Sequence, residues 1–304
     1  MSHQHTRIKA FTIVELLVVV GILALLLGML LPALAGAQKR SKKHKELNAI
    51  RQVGLGWTLY ANANNDKLLP GYLDLAVQQR WRVKYEYPNH WDIPAGDLAG
   101  PWTWRLLPFL DNNILTIHAY ADQEGYEFLE LDPSSTGAGP GGMQTTARPI
   151  AFEPSFGYNA YYVGGWWTMD SGLARPKFYD AQTDDGGSLR PVNLLSRSVG
   201  TIRRPTELVA FCSSSLLEPG VYRKFPNSQL GSHLVVPSWL GGNEQWEWVG
   251  ALQTHVLSAA PIGRYNGLAA TLYTDGHTGA NKPDDLTDMR KWIDAAKTRN
   301  FRHQ

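Results

Sequence analysis

A single cysteine, Cys212, stands in the 304 residues, so no intramolecular disulfide can form and packing alone must hold the fold. Charge is sparse: Asp, Glu, Lys and Arg make 18% of the chain against 43% apolar residues, a balance that excludes a disordered chain. Neither a GxGxxG loop nor a P-loop occurs. The nine histidines show no HxxxH or HExxH spacing in the body, and no GxSxG elbow frames Ser213, Ser214 or Ser215. No residue can be nominated as a nucleophile with its base, and the chain reads as a non-enzyme. Internal repeats are missing too.

Long apolar runs are also missing, with one exception. Residues 11–31, FTIVELLVVVGILALLLGMLL, are broken by a single charge, Glu15. As a helix this run spans about 30 Å, the hydrocarbon thickness of a bilayer, and it has no polar stripe for a soluble surface. A carboxylate within hydrocarbon costs several kcal/mol, which marks Glu15 as a functional residue in need of a partner. Arg7 and Lys9 precede the run, and LLPALAGA follows it. An ordinary secretory signal cut after Ala35 or Ala37 is therefore an alternative, although the run exceeds the usual h-region of about 7–15 residues.

The positive charge is crowded at one end. Residues 1–51 hold eight Lys or Arg and two Glu, leaving 21 basic and 25 acidic residues beyond. QKRSKKHKE (38–46) supplies five of those bases, a solvated surface at a membrane boundary with attraction for anionic head groups. No aromatic interleaves with them, so specific nucleic-acid binding is not expected. By the positive-inside rule alone this side would face the cytoplasm.

KAFTIVELLVVVGILALL resembles the amino-terminal signal of type IV prepilins and type II secretion pseudopilins. The resemblance implies cleavage between Ala10 and Phe11 by a prepilin peptidase, then methylation of the new amino terminus. It also implies that Glu15 pairs with the terminal amine of a neighbouring subunit, and that Pro32 kinks the helix among the small residues Gly21, Gly28 and Gly36. Ala10 departs from the glycine most common there. The topology implied opposes the positive-inside rule: one inner-membrane helix, with the head in the periplasm or on an assembled filament. The partners implied are sister subunits, the peptidase, an inner-membrane assembly platform and membrane lipid.

Beyond the run, Leu47, Ile50, Gly54, Trp57 and Ala61 recur at three- and four-residue steps, predicting an amphipathic continuation to NANNDKLLPGY (62–72). The division expected is a leader (1–10), a helix (11–64, with 11–31 in the membrane) and a head (65–304). In the head, PWTWRLLPFLD (101–111) predicts a short buried helix or turn and residues 133–149 a loop. FGYNAYYVGGWW (156–167) predicts a strand or hairpin, ELVAFCSSS (207–215) a buried strand, and NGLAATLYTDGHTG (266–279) two strands about an Asp-Gly turn. DDLTDMRKWIDAAKTR (284–299) predicts a helix presenting Leu286, Met289 and Ile293, capped by Asp284 or Asp285. The fold class expected is α+β: a long helix packed on a mostly antiparallel sheet.

The DGH element at Asp275, Gly276 and His277 resembles the carboxy-terminal motif of pilin-like proteins of the Planctomycetes–Verrucomicrobia kind, with Tyr265 where the motif has His. PSFGYNAYYVGG and WTWRLLPFLD are similar to that family's aromatic segments. From the residues alone, Asp275-Gly276 is a type I′ turn. The sharper alternative is calcium at Asp275, for which one carboxylate is a thin supply, and no other cofactor is expected. Trp166, Trp167, Trp239, Trp246 and Trp248 suit a core or a subunit contact. The alternative is a membrane-anchored surface protein that stacks sugar rings, with SWLGGNEQWEWVG (238–250) its most lectin-like stretch.

Overall fold

The computed structural model describes residues 12–87, 91–119, 150–177, 181–184, 189–215, 231–240, 243–248, 254–256, 259–264 and 267–303. The expected loop at 133–149 lies outside them. The chain divides into two compact units, Met1–His44 and Lys45–Gln304. In the first unit α1 (Ile13–Ala63) begins; it is a single 51-residue helix that runs on through Pro32. Every residue from Thr12 to Lys42 is exposed, including all the large apolar side chains from Ile13 to Leu34. This stretch is long and apolar enough to cross a membrane.

The second unit follows the end of α1 with β1 (Tyr72–Leu73), α2 (Leu75–Trp81) and a ribbon of β2 (Tyr85–Tyr87) with β3 (Trp91–Ile93). The one-turn helices α3 (Thr103–Leu106) and α4 (Ile114–Ile117) lead to β4 (Phe156–Tyr158), β5 (Trp166–Asp170) and β6 (Leu173–Pro176). A ribbon of β7 (Ala181–Asp184) with β8 (Leu189–Val192) precedes β9 (Val209–Ser215). Two further ribbons join β10 (Trp239–Leu240) to β11 (Asn243–Glu244) and β12 (Trp246–Trp248) to β13 (Thr254–Val256). The chain then forms β14 (Ala260–Pro261), β15 (Ala269–Tyr273) and β16 (Thr278–Asn281).

The main sheet runs β14-β9-β15-β16, with β4 also on β9, and all its pairs are antiparallel. A smaller sheet, β1-β5-β6, holds one parallel pair, β1 with β5. The expected α+β class with a mostly antiparallel sheet is what the described residues form.

β9 is buried at every position because it is covered on both faces. On one side Ile50, Val53 and Trp57 of α1 pack with Phe211, Ala270 and Leu272. On the other, Leu286, Met289, Trp292 and Ile293 pack with Val209, Cys212 and Tyr273. The amphipathic face expected of α1 is therefore the one that covers the sheet, with Leu47 half-buried at its start. Among the described residues, five of the tryptophans are structural. Trp102, Trp104, Trp246 and Trp292 bury their rings and donate Nε1–H to backbone carbonyls at 2.6–2.9 Å, while Trp57 donates to the Tyr158 hydroxyl at 3.2 Å.

A buried ion pair fastens α1 to the sheet. Glu46 Oε1 accepts from Ser213 Oγ at 2.8 Å and faces Arg264 Nη1 at 3.5 Å, and both charged side chains are under 5% exposed. Ser213 Oγ in turn accepts from the Ala270 amide at 3.0 Å, so one hydroxyl links α1, β9 and β15. Arg264 also donates to the carbonyls of Ser155 and Ser214. Burial raises the Glu46 pKa, against the pull of Arg264 and Ser213.

Two expected elements differ. FGYNAYYVGGWW, expected as a strand or hairpin, begins with the strand β4 and ends in β5, and these do not pair as a hairpin: β4 belongs to the main sheet and β5 to the smaller one. Between them the chain turns at Asn159, whose Nδ2 donates to Val209 O and Trp292 O, and reverses at Gly164 (φ +72°) and Gly165 (φ +98°). A Cβ on Gly164 would stand 1.8 Å from Leu69 O, so only glycine fits this crossing. Residues 284–299 form no α-helix but two 3-10 turns, Pro283–Thr287 and Met289–Lys291. Neither Asp284 nor Asp285 caps them: Lys282 precedes the first turn, and Asp288 caps the second by accepting from the Arg290 amide at 3.0 Å. Extended backbone at Asp288 stops the first turn, and the Met289 amide bonds Arg299 O instead of a preceding turn. Leu286, Met289 and Ile293 are buried all the same.

Candidate functional site

The first unit presents its chemistry at the start of α1. Thr12 and Glu15 form a reciprocal cap: the Thr12 amide donates to Glu15 Oε2 at 2.9 Å, and the Glu15 amide donates to Thr12 Oγ1 at 3.2 Å. The Thr12 hydroxyl adds a third bond to Oε2 at 2.8 Å. This is a capping box, which satisfies two amides that would otherwise be stranded at the end of an apolar helix. Glu15 Oε1 accepts no hydrogen bond among the described residues. Ala10 and Phe11 lie outside the described residues. Pro32 is exposed within α1, and its missing N–H leaves the Gly28 carbonyl without its helical donor. A Cβ on Gly21, Gly28 or Gly36 would meet nothing within 4 Å. All three are open places where another helix could approach closely.

At the other candidate, Asp275-Gly276-His277, the turn differs from the expected type I′. Only Gly276 takes a positive φ (+90°), its amide donates to Tyr273 O at 2.9 Å, and the Tyr273 amide donates to His277 O at 3.0 Å. That is a three-residue loop, a type I turn closed by a left-handed glycine. Asp275 Oδ1 accepts from the His277 amide at 3.1 Å and from His277 Nδ1 at 2.6 Å, and the imidazole stacks on Tyr273 with ring centres 4.2 Å apart. A carboxylate is acceptor-only, so Nδ1 carries the proton. The arrangement is that of a locked turn. Among the described residues no three His, Cys, Asp or Glu side chains converge as metal ligands, and Asp275 with an imidazole at 2.6 Å does not fit an ion that takes six to eight oxygens.

Ser213 beside Glu46 has the composition of a nucleophile and a base, but Ser213 is fully buried and Glu46 is 2% exposed, so no substrate reaches them. Cys212 is likewise enclosed, and burial pushes its thiol pKa up, away from thiolate chemistry.

The aromatic residues divide. Trp246 is core and cannot stack a sugar, and the Trp248 side chain lies outside the described residues. Trp239 is covered by the Arg302 guanidinium at 3.9 Å. Trp167 also carries a guanidinium over its ring, that of Arg197 at 5.2 Å, but it lines an open groove of about 820 Å³ together with Trp81, Tyr60, Lys67 and Arg203. Sequence reasoning missed this groove and the capping box. The groove joins residues from 60 to 295, with no local signal. The capping box was legible as T-x-x-E ahead of an apolar run.

No protein family, no curated protein and no solved structure compared with this chain matches it.

Proposed function

We propose that this chain is a structural subunit of a filament of the type IV pilus or type II secretion pseudopilus kind. It would be cut between Ala10 and Phe11 and assembled through α1. The role is structural, not catalytic. The observation that carries the reading is the amino-terminal third of α1: an exposed apolar helix whose one charge is Glu15, in its first turn. Such a surface needs lipid before assembly and sister helices after it. A second copy's terminal ammonium would neutralise Glu15 through Oε1 while Oε2 holds the cap, which makes two charges tolerable in a medium that tolerates neither alone. Calcium is no part of the proposal.

Two substitutions separate the cap from the pair. Glu15→Ala removes both and should leave membrane-bound protein that does not enter sheared or detergent-resistant filaments. Glu15→Gln keeps an oxygen for the Thr12 amide but loses the charge, and it should fail to assemble to the same degree. Wild-type assembly of Glu15→Gln would reduce Glu15 to a cap and remove the charge pair from the account.

A further inference from the structure

We infer that the groove floored by Trp167 in the second unit is a binding site for an acidic saccharide, one whose sugar ring carries a carboxylate or a sulfate. The inference does not depend on the filament reading, since every residue of the groove belongs to the second unit.

The groove is built before any ligand arrives. Trp167 Nε1 donates to Gly164 O at 2.9 Å, which fixes its indole, and Gly164 is itself held because only glycine fits there. Trp81 meets that indole edge-on with ring centres 5.1 Å apart, and remains 42% exposed at the end of α2. An exposed tryptophan on a pinned partner offers an apolar plate at little cost in side-chain entropy, which suits the C–H face of a pyranose. The volume, about 820 Å³, accommodates two or three sugar units, within the usual range for ligand clefts.

Charge selects among saccharides. Lys67, Arg197 and Arg203 line the groove against one carboxylate, Asp294. That carboxylate is occupied: Asp294 Oδ1 accepts from the amides of Arg203 and Arg204 at 3.1 and 3.0 Å. Neither the Lys67 ammonium nor the Arg203 guanidinium forms an ion pair among the described residues. The lining thus runs against the rest of the chain beyond residue 51, where acids outnumber bases by 25 to 21. A local positive groove on an acidic surface repels basic partners elsewhere and concentrates an anion here. On the walls, Asn64 Nδ2 is held by Tyr60 O and Asn193 Oδ1 by the Leu195 amide, which leaves Asn64 Oδ1 and Asn193 Nδ2 to bond sugar hydroxyls.

The test titrates the full-length chain in detergent, following tryptophan fluorescence and heat. The probes are an oligogalacturonate, a chondroitin sulfate oligosaccharide, a neutral maltooligosaccharide and inorganic sulfate. The oligogalacturonate or the chondroitin oligosaccharide should bind at least roughly tenfold tighter than the neutral sugar or free sulfate, with an affinity that falls as salt rises. Whichever binds identifies carboxylate or sulfate as the anion. Trp81→Ala should weaken that binding roughly tenfold and Trp81→Tyr should restore most of it, while Arg203→Gln should weaken it and flatten the salt dependence. Both positions are exposed, so the melting temperature should hold. No binding by either acidic saccharide, equal binding by the neutral one, or indifference to Trp81→Ala and Arg203→Gln together would overturn the inference.

Discussion

Replacing Glu46 with Ala should destabilise the second unit by about 3–5 kcal/mol, enough to unfold many domains of marginal stability. The reason lies in what stays behind. Arg264 would keep its guanidinium, 4% exposed, bonded to the carbonyls of Ser155 and Ser214 but without the Glu46 carboxylate beside it. Ser213 Oγ would lose its acceptor at 2.8 Å while still holding the Ala270 amide. A buried cation without its anion costs more than the pair contributed, so Arg264→Ala should be nearly as damaging. The double change Glu46→Met with Arg264→Met should cost less than either single change, because it leaves no charge behind and fills the space. Urea unfolding of the four proteins reads this directly. A double variant less stable than either single variant would show that the two side chains are not coupled.

Acid should unfold the second unit over the window from pH 6.5 to about 4. Burial lowers the His118 pKa to about 3 and the His233 pKa to about 4, from an ordinary value of 6.5. Both are neutral in the folded chain over that window, whereas an unfolded chain takes up a proton at each. The unfolded state then binds more protons, so stability is fully present above pH 6.5 and is lost as pH falls. Glu46 acts in the opposite sense, since its raised pKa makes the folded chain take up a proton first. One opposing group leaves a net uptake of one to two protons. At about 1.36 kcal/mol per proton and pH unit, the loss from pH 6.5 to 4.5 is roughly 3–5 kcal/mol. Urea midpoints at pH 7 and pH 5 measure it, and His233→Gln should reduce the slope. A midpoint that does not move with pH would contradict the buried, neutral histidines.

Elements governed by local rules were legible in the sequence. The apolar run of α1, the step pattern from Leu47 to Ala61 and the unbroken apolar character of ELVAFC all report period and burial, and each formed as expected. The late helix was misread because a periodic apolar face is also made by consecutive 3-10 turns. Asp288 decides the matter by bonding the amide of Arg290, a competition that pattern counting does not weigh. The turn at Gly276 was placed correctly but mistyped, since Asp-Gly serves both a two-residue and a three-residue loop. Trp246 looked like a sugar platform beside Asn, Gln and Glu, yet its indole faces the core and bonds Val236 O. Glu46 and Arg264 are 218 residues apart, and the groove gathers its lining from segments between Tyr60 and Ala295. Such pairings are products of topology, and no window of sequence contains them.

In the proposed function, α1 is delivered by prepilin processing and then used for assembly. Intact mass and amino-terminal sequencing of the protein from its native membrane test this processing. The chain should begin at Phe11 and carry one methyl group on its amine. A chain that begins at Met1 or Ser2, or one cut after Ala35 or Ala37, would contradict it.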